Sequence, residues 1–137
     1  CDEMKKNKLK GSVVLLNSIY GLVAQDENLY VKENINMSFP YPVIKSGIGG
    51  LTQQLSSYYG KYGIRVNSIC SGGIQGKVSG ADEKMNTSFA DKYIAKVPLG
   101  RMATSDDIAN MACFLSSKAS SYITGQNIAV DGGYTAK

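Results

Sequence analysis

The chain has 137 residues, is 43% hydrophobic and 19% charged, and carries a formal net charge of +4 without a single histidine. This is the balance of one ordinary globular domain, not of a disordered segment, and no apolar run approaches the ~18 residues that a membrane span needs. Without histidine, Ser-His-Asp hydrolysis, Cys-His proteolysis and histidine-based metal sites are excluded.

Lys5, Lys6, Lys8 and Lys10 carry the basic excess. They read as the end of a helix over residues 1 to 10 closed by Gly11, where cations complement the helix dipole, so no nucleic-acid partner is expected. Cys1, Cys70 and Cys113 are odd in number and widely spaced. They form neither a disulfide framework nor a zinc pattern, which fits a reducing, cytoplasmic location with no membrane partner. Cys70 and Cys113 are expected as small buried apolar groups. The chain opens on Cys1-Asp2-Glu3, not on Met. It could be an acylated lipoprotein anchored at Cys1 or a piece of a longer protein; no tether-like stretch follows, which favours the piece.

Residues 12 to 17 (SVVLLN) form a short, continuous, β-branched-rich run, the pattern of a strand buried on both faces of a parallel sheet. Ser18-Ile19-Tyr20-Gly21 follows, and residues 22 to 40 read as a polar loop. A helix is expected from about Pro40 to Tyr59, with Pro42 tolerable only in its first turn. Ile44, Ile48, Leu51, Leu55 and Tyr58 are its expected buried stripe. Gly47, Gly49 and Gly50 are costly in a helix, at up to ~1 kcal/mol each. A closely approaching helix, such as a second subunit's, would account for them. Gly60 and Gly63 end the helix.

A second strand follows at residues 64 to 70, broken by Ser71-Gly72-Gly73. The strand–helix–strand order implies a βαβ unit with parallel strands. Residues 74 to 97 are a Gly-rich, polar excursion with weak helical stretches around Ala81 to Tyr93, long enough to be a lid or binding loop. Thr104 and Asp107 form a capping box. The helix behind it places Ile108, Met111, Ala112 and Leu115 on one face. A third strand runs from Gln126 to Val130, closed by Asp131-Gly132-Gly133, with Asp131 as a turn former.

Three parallel strands with two main helices are α/β, yet too thin to stand alone. A three-stranded sheet leaves a hydrophobic edge unpaired, and residues 12 to 17 read as a central strand with a missing neighbour. An absent N-terminal half is the expectation.

Within the long helix, Tyr41 precedes Lys45 by four residues, so the two share a face. An ammonium beside a phenol favours the phenolate, which makes an acid/base usable near neutral pH. Chance alone could supply the spacing. The segments VVLLNSIYG, YPVIKSG, GIRVNSICSGG, PLGRMATSDDIANMACFLSS and ITGQNIAVDGG, in that order, resemble the C-terminal half of a short-chain dehydrogenase/reductase over about residues 4 to 134.

The resemblance implies the C-terminal part of a Rossmann-type doubly wound parallel sheet, with the substrate lid at residues 74 to 97. It implies an NAD- or NADP-dependent oxidoreductase acting on a small-molecule carbonyl or alcohol. Ser18 would bond the substrate oxygen, Tyr41 would pass the proton, and Lys45 would tune Tyr41 and hold the nicotinamide ribose. Tyr41, Lys45, Gly72, Gly73 and Ile74 would meet the cofactor.

The sequence departs from the family pattern in several places. The family's catalytic Asn, its Gly-rich pyrophosphate loop and the residue selecting NAD or NADP would all lie before Cys1. Ser71-Gly72 stands where Pro-Gly is usual, and the Thr that often follows has no clear counterpart. The Ser18–Tyr41 interval is about ten residues longer than is common. The insertion around Asp26 to Met37 should wall the substrate pocket, with Tyr20 and Tyr30 as packing aromatics or substrate contacts. A long interval and an SIYG start resemble bacterial relatives of flagellin or surface-sugar modification. The 40–59 helix is the expected homo-oligomer contact. The alternative function is an inactive truncation that keeps only the oligomerising and substrate-side elements.

Overall fold

The computed structural model describes residues 1–30, 36–76 and 87–136. Three parallel strands, β1 (Gly11–Ser18), β2 (Ile64–Ser71) and β3 (Asn127–Val130), make one sheet in the order β1-β2-β3. The β1–β2 register runs without interruption from Gly11 opposite Ile64 to Ser18 opposite Ser71. The C-terminal ends of both strands therefore finish level, where an open parallel sheet places its ligands. α1 (Asp2–Lys6), α2 (Glu27–Tyr30), α3 (Pro40–Tyr59), α4 (Thr87–Ile94) and α5 (Ser105–Ser116) complete the described helices.

α3 and α5 cover opposite faces of the sheet. On the α3 side, Tyr59 packs with Ile64, Val66, Val13 and Leu15. On the α5 side, Ile108 and Leu115 pack with Ile69, Val14 and Ile128. The outer edge of β1 has no strand beside it among the described residues, and Leu16 on this strand is 66% exposed.

Local sequence explains most boundaries. Pro40 and Pro42 fall in the first turn of α3, and Gly63 closes the turn after it at φ 74°. The capping box at α5 is formed as expected. Asp107 N–H donates to Thr104 Oγ1 at 3.3 Å, and Thr104 N–H donates to Asp107 Oδ2 at 2.7 Å.

Several expectations are corrected. The first helix stops at Lys6, and Lys8 takes the left-handed turn at φ 54°; Gly11 is the first residue of β1, not a helix stop. Only Lys5 and Lys6 lie in that helix's last turn. The stretch expected to be loop contains α2. Cys113 is exposed on α5, whereas Cys70 is buried as expected. The expected helical stretch at Ala81 to Tyr93 is present as α4 from Thr87; residues 81 to 86 lie outside the described residues.

The largest correction concerns the face of α3. Its buried residues are Thr52, Ser56 and Tyr59, while Ile44 is 61% and Leu51 49% exposed. The buried stripe is rotated from the apolar one by about one residue, roughly 100°, although Ile48 and Leu55 of the expected stripe are half-buried and Leu55 packs against the Tyr59 cluster. Small residues face the sheet because they let the helix come close. Thr52 and Ser56 satisfy their hydroxyls on the carbonyls of Ile48 and Gln53, each at 2.8 Å. A Cβ on Gly49 would stand 3.3 Å from the Asn127 side chain, so β3, not another helix, claims that glycine. Gly47 and Gly50 look onto open space on the outer side.

Candidate active site

The C-terminal ends of β1 and β2 open into a cavity of about 380 Å3. Its wall contains Ser18, Tyr41, Gly72 and Gly73, four of the six residues expected at the site, brought together from three separate stretches of chain. Lys45 and Ile74 are not part of the wall. Lys45 stands behind Tyr41 with Nζ 5.4 Å from the ring centroid. Ile74 pairs with Ala103 in an isolated bridge.

Ser18 is the last residue of β1 and the N-cap of the 3-10 turn Ile19–Gly21. Its Oγ accepts the Tyr20 N–H at 3.2 Å, which leaves its own proton available to donate. The turn then lies against α3, and a Cβ on Gly21 would stand 2.8 Å from the Lys45 carbonyl oxygen. That close approach sets Ser18 beside the first turns of α3, where Tyr41 and Lys45 sit. Tyr41 is 39% exposed.

A second tyrosine competes for the same role by position. The Tyr20 ring lies 6.5 Å from that of Tyr41 and also lines the cavity. Burial pushes the Tyr20 phenol far above its ordinary range. Tyr20 is therefore fixed as a neutral phenol and is no acid/base near neutral pH. Tyr30 donates to Tyr20 at 2.9 Å and packs edge-on to Phe89 at 5.6 Å. Tyr20 and Tyr30 are thus both packing aromatics and cavity wall. Tyr30 and Asn36, from the stretch expected as an insertion, contribute to the pocket wall, while residues 31 to 35 lie outside the described residues.

Sequence reasoning missed Tyr93 and Asp131 as parts of this site. Tyr93, on α4, is 3% exposed and accepts the Gly73 N–H on its hydroxyl oxygen at 2.6 Å. Burial pushes its phenol up to about 12, against the smaller opposing effect of the Gly73 bond. Asp131 is the turn former that was expected, and it also supports Gly72, whose Cβ would stand 2.9 Å from the Asp131 Cα. The aromatic spacing of α4 was the only available signal for Tyr93. Cys70, below the cavity floor, is no nucleophile. Burial pushes its thiol up, offset only in part by Ser68, Asn17 and Lys45. Among the described residues no cluster of Asp, Glu, Cys or His could hold a metal ion, and no helix is long and apolar enough to cross a membrane.

The chain is similar in sequence and fold to known proteins. A family model described as Enoyl-(Acyl carrier protein) reductase matches residues 2–135. The (3R)-3-hydroxyacyl-CoA dehydrogenase of Mus musculus is 36% identical over 124 residues, which are 90% of this chain and 43% of that protein. A short chain dehydrogenase from Leptospira borgpetersenii, solved with bound NAD+, superposes with a TM-score of 0.86 at 37% identity. The match covers 98% of this chain and 48% of that one. A gluconate 5-dehydrogenase from Burkholderia cenocepacia, in complex with NADP and tartrate, gives a TM-score of 0.82 at 25% identity over 99% of this chain and 49% of its own. The chain spans about half the length of these relatives or less.

Proposed function

The chain belongs to the short-chain dehydrogenase/reductase family, and on that premise we propose that it is the catalytic half of an NAD(P)-dependent oxidoreductase acting on a small carbonyl or alcohol. The observation that carries the reading is the cavity at the ends of β1 and β2, whose lining contains Ser18, Tyr41 and the Gly72–Gly73 turn. NAD or NADP, when bound, supplies or accepts the hydride.

The residues suit that task. The Gly72–Gly73 turn is packed too closely against Asp131, Tyr93 and Met102 to carry a Cβ on either glycine, so it offers backbone to its ligand. Asn17 Oδ1, buried beside Ser18, has no hydrogen-bond partner among the described residues, an orphan acceptor of the kind that bound groups satisfy. In this reading Tyr41 gives its hydroxyl proton to the substrate oxygen on reduction and takes it on oxidation. Ser18 donates its free hydroxyl proton to the same oxygen. Lys45 provides the positive charge behind the Tyr41 ring and reaches toward the ribose. Gly72, Gly73 and Ile74 face the nicotinamide with backbone groups.

We further read residues 1–137 as the C-terminal part of a longer domain, because β1 keeps an open edge and the relatives are about twice as long. The preceding strands and the pyrophosphate loop would complete the sheet at β1. The outer face of α3, with Val43, Ile44, Leu51 and Tyr58 exposed, is the proposed contact between copies. The free cysteines fit a reducing cytoplasm.

The test is turnover by the full-length protein. It should oxidise NADH or NADPH in the presence of carbonyl compounds, or reduce NAD or NADP with the matching alcohols. Binding of neither nucleotide by the full-length protein would overturn the reading.

A further inference from the structure

The Gly72–Gly73 turn is held mostly by backbone. Gly72 N–H donates to the Val130 carbonyl at 3.0 Å, and the Gly73 carbonyl accepts the Ala103 N–H at 2.9 Å. Gln75 N–H donates to the Ala103 carbonyl at 2.8 Å. The Gly73 N–H is different, because its acceptor is a side chain, the Tyr93 hydroxyl at 2.6 Å. That side chain comes from α4, which lines the cavity through Phe89 and Tyr93, twenty residues further along the chain.

The Tyr93 ring has little freedom to leave. It stacks on Tyr134 with centroids 4.9 Å apart and planes 12° from parallel, and on Phe89 at 6.2 Å. Tyr134 is itself fixed by Asp131. The Asp131 carboxylate accepts the Gly133 N–H at 2.9 Å, the Thr135 N–H at 2.8 Å and the Thr135 hydroxyl at 2.7 Å, which curls the segment after β3 back over α4. A Cβ on Gly73 would meet the Tyr93 ring at 2.8 Å, so turn and ring lie in direct contact.

We propose that Tyr93 is a positioning residue that ties α4 to the Gly72–Gly73 turn, so that the nicotinamide-side backbone is set by the element closing over the substrate. The coupling runs from Asp131 through Tyr134 to the Tyr93 ring, and from its hydroxyl to the Gly73 amide. Its functional meaning rests on reading that turn as the cofactor's, whereas the tie itself does not.

The experiment compares wild type and Tyr93→Phe in the full-length protein, reading hydrogen exchange at the Gly73 amide and affinity for NADH and NADPH by fluorescence. Phe keeps the stack on Phe89 and Tyr134 and removes only the acceptor. Gly73 exchange should rise at least about fivefold, the effect of losing one hydrogen bond, and nucleotide affinity should fall by a similar factor while the melting temperature stays nearly constant. A purely structural tyrosine would move the melting temperature without singling out that amide. Unchanged Gly73 exchange in a folded Tyr93→Phe protein overturns the proposal. If that variant does not fold, Tyr134→Leu, which loosens the ring but keeps the hydroxyl, reads the same amide, and unaltered exchange there overturns it equally. If wild type binds neither nucleotide, the cofactor reading fails, and Gly73 exchange still decides whether Tyr93 holds the turn.

Discussion

Lys45 holds its ammonium 5.4 Å from the centroid of the Tyr41 ring, one helical turn further along α3. The spacing follows from helix geometry, and its relevance follows from location. Tyr41 faces the cavity that Ser18 and the Gly72–Gly73 turn also line, whereas Lys45 stands behind the ring. In the full-length enzyme, Tyr41→Phe should lower kcat by ~10²–10⁴ and leave nucleotide affinity nearly unchanged. Tyr20→Phe is the control. Tyr20 is already a buried neutral phenol that moves no proton near pH 7, so its kcat should stay within about tenfold of wild type. Steady-state kinetics of the two variants decide which tyrosine is the acid/base, and equal losses would argue against Tyr41.

Gly21 should be unusually intolerant. An added Cβ would stand 2.8 Å from the Lys45 carbonyl oxygen and 3.2 Å from the Ser46 nitrogen, both backbone atoms that cannot rotate away. Gly21→Ala should cost about 1–3 kcal/mol, as overpacking generally does, and should push Ser18 and Tyr20 away from α3. Urea denaturation measures the first effect and kcat the second. Wild-type values for both would mean that the turn and α3 move apart freely.

Stability should depend on Asp131 with a definite sign. Burial raises its carboxyl, but the hydrogen bonds from Thr135 and Gly133 outweigh burial and hold it below the ordinary 3.8. The folded state therefore resists protonation more than the unfolded one. Its contribution is fully present above about pH 4 and is lost as pH falls through the lower folded value. Asp131→Asn should lower the urea midpoint at neutral pH, and the gap to wild type should narrow as pH falls below the ordinary 3.8. A gap independent of pH would assign the loss to packing alone.

The outer face of α3 should carry association. Ile44 and Leu51 lie among its exposed apolar residues, while Thr52, Ser56 and Tyr59 turn inward. Ile44→Glu with Leu51→Glu should shift the full-length protein to monomer in analytical ultracentrifugation, with little change in its unfolding midpoint because neither residue is in the core. An unchanged mass would place the contact elsewhere.

The sequence by itself determined the three strands, the two main helices and their order, but not the short helix α2 or the end of the first helix. The β-branched runs at β1 and β2, the prolines at the start of α3 and the Thr104–Asp107 box each act over a few residues, so local chemistry suffices to read them. It also offered Ser18, Tyr41 and Lys45 as candidates, through motifs that resemble the family's and, for the last two, helical spacing. Only the tertiary structure decided which face of α3 is buried, because a helix with an apolar stripe and a small-residue stripe has two faces that could pack, and close approach to the sheet, chiefly to β2, selects the small one. It also decided that Tyr20 is held as a neutral phenol, since that depends on burial among Tyr30 and its neighbours. The Tyr93–Gly73 bond belongs to the same class. Two groups twenty residues apart meet only after α4 folds back over the sheet, and no local pattern in either stretch announces the other.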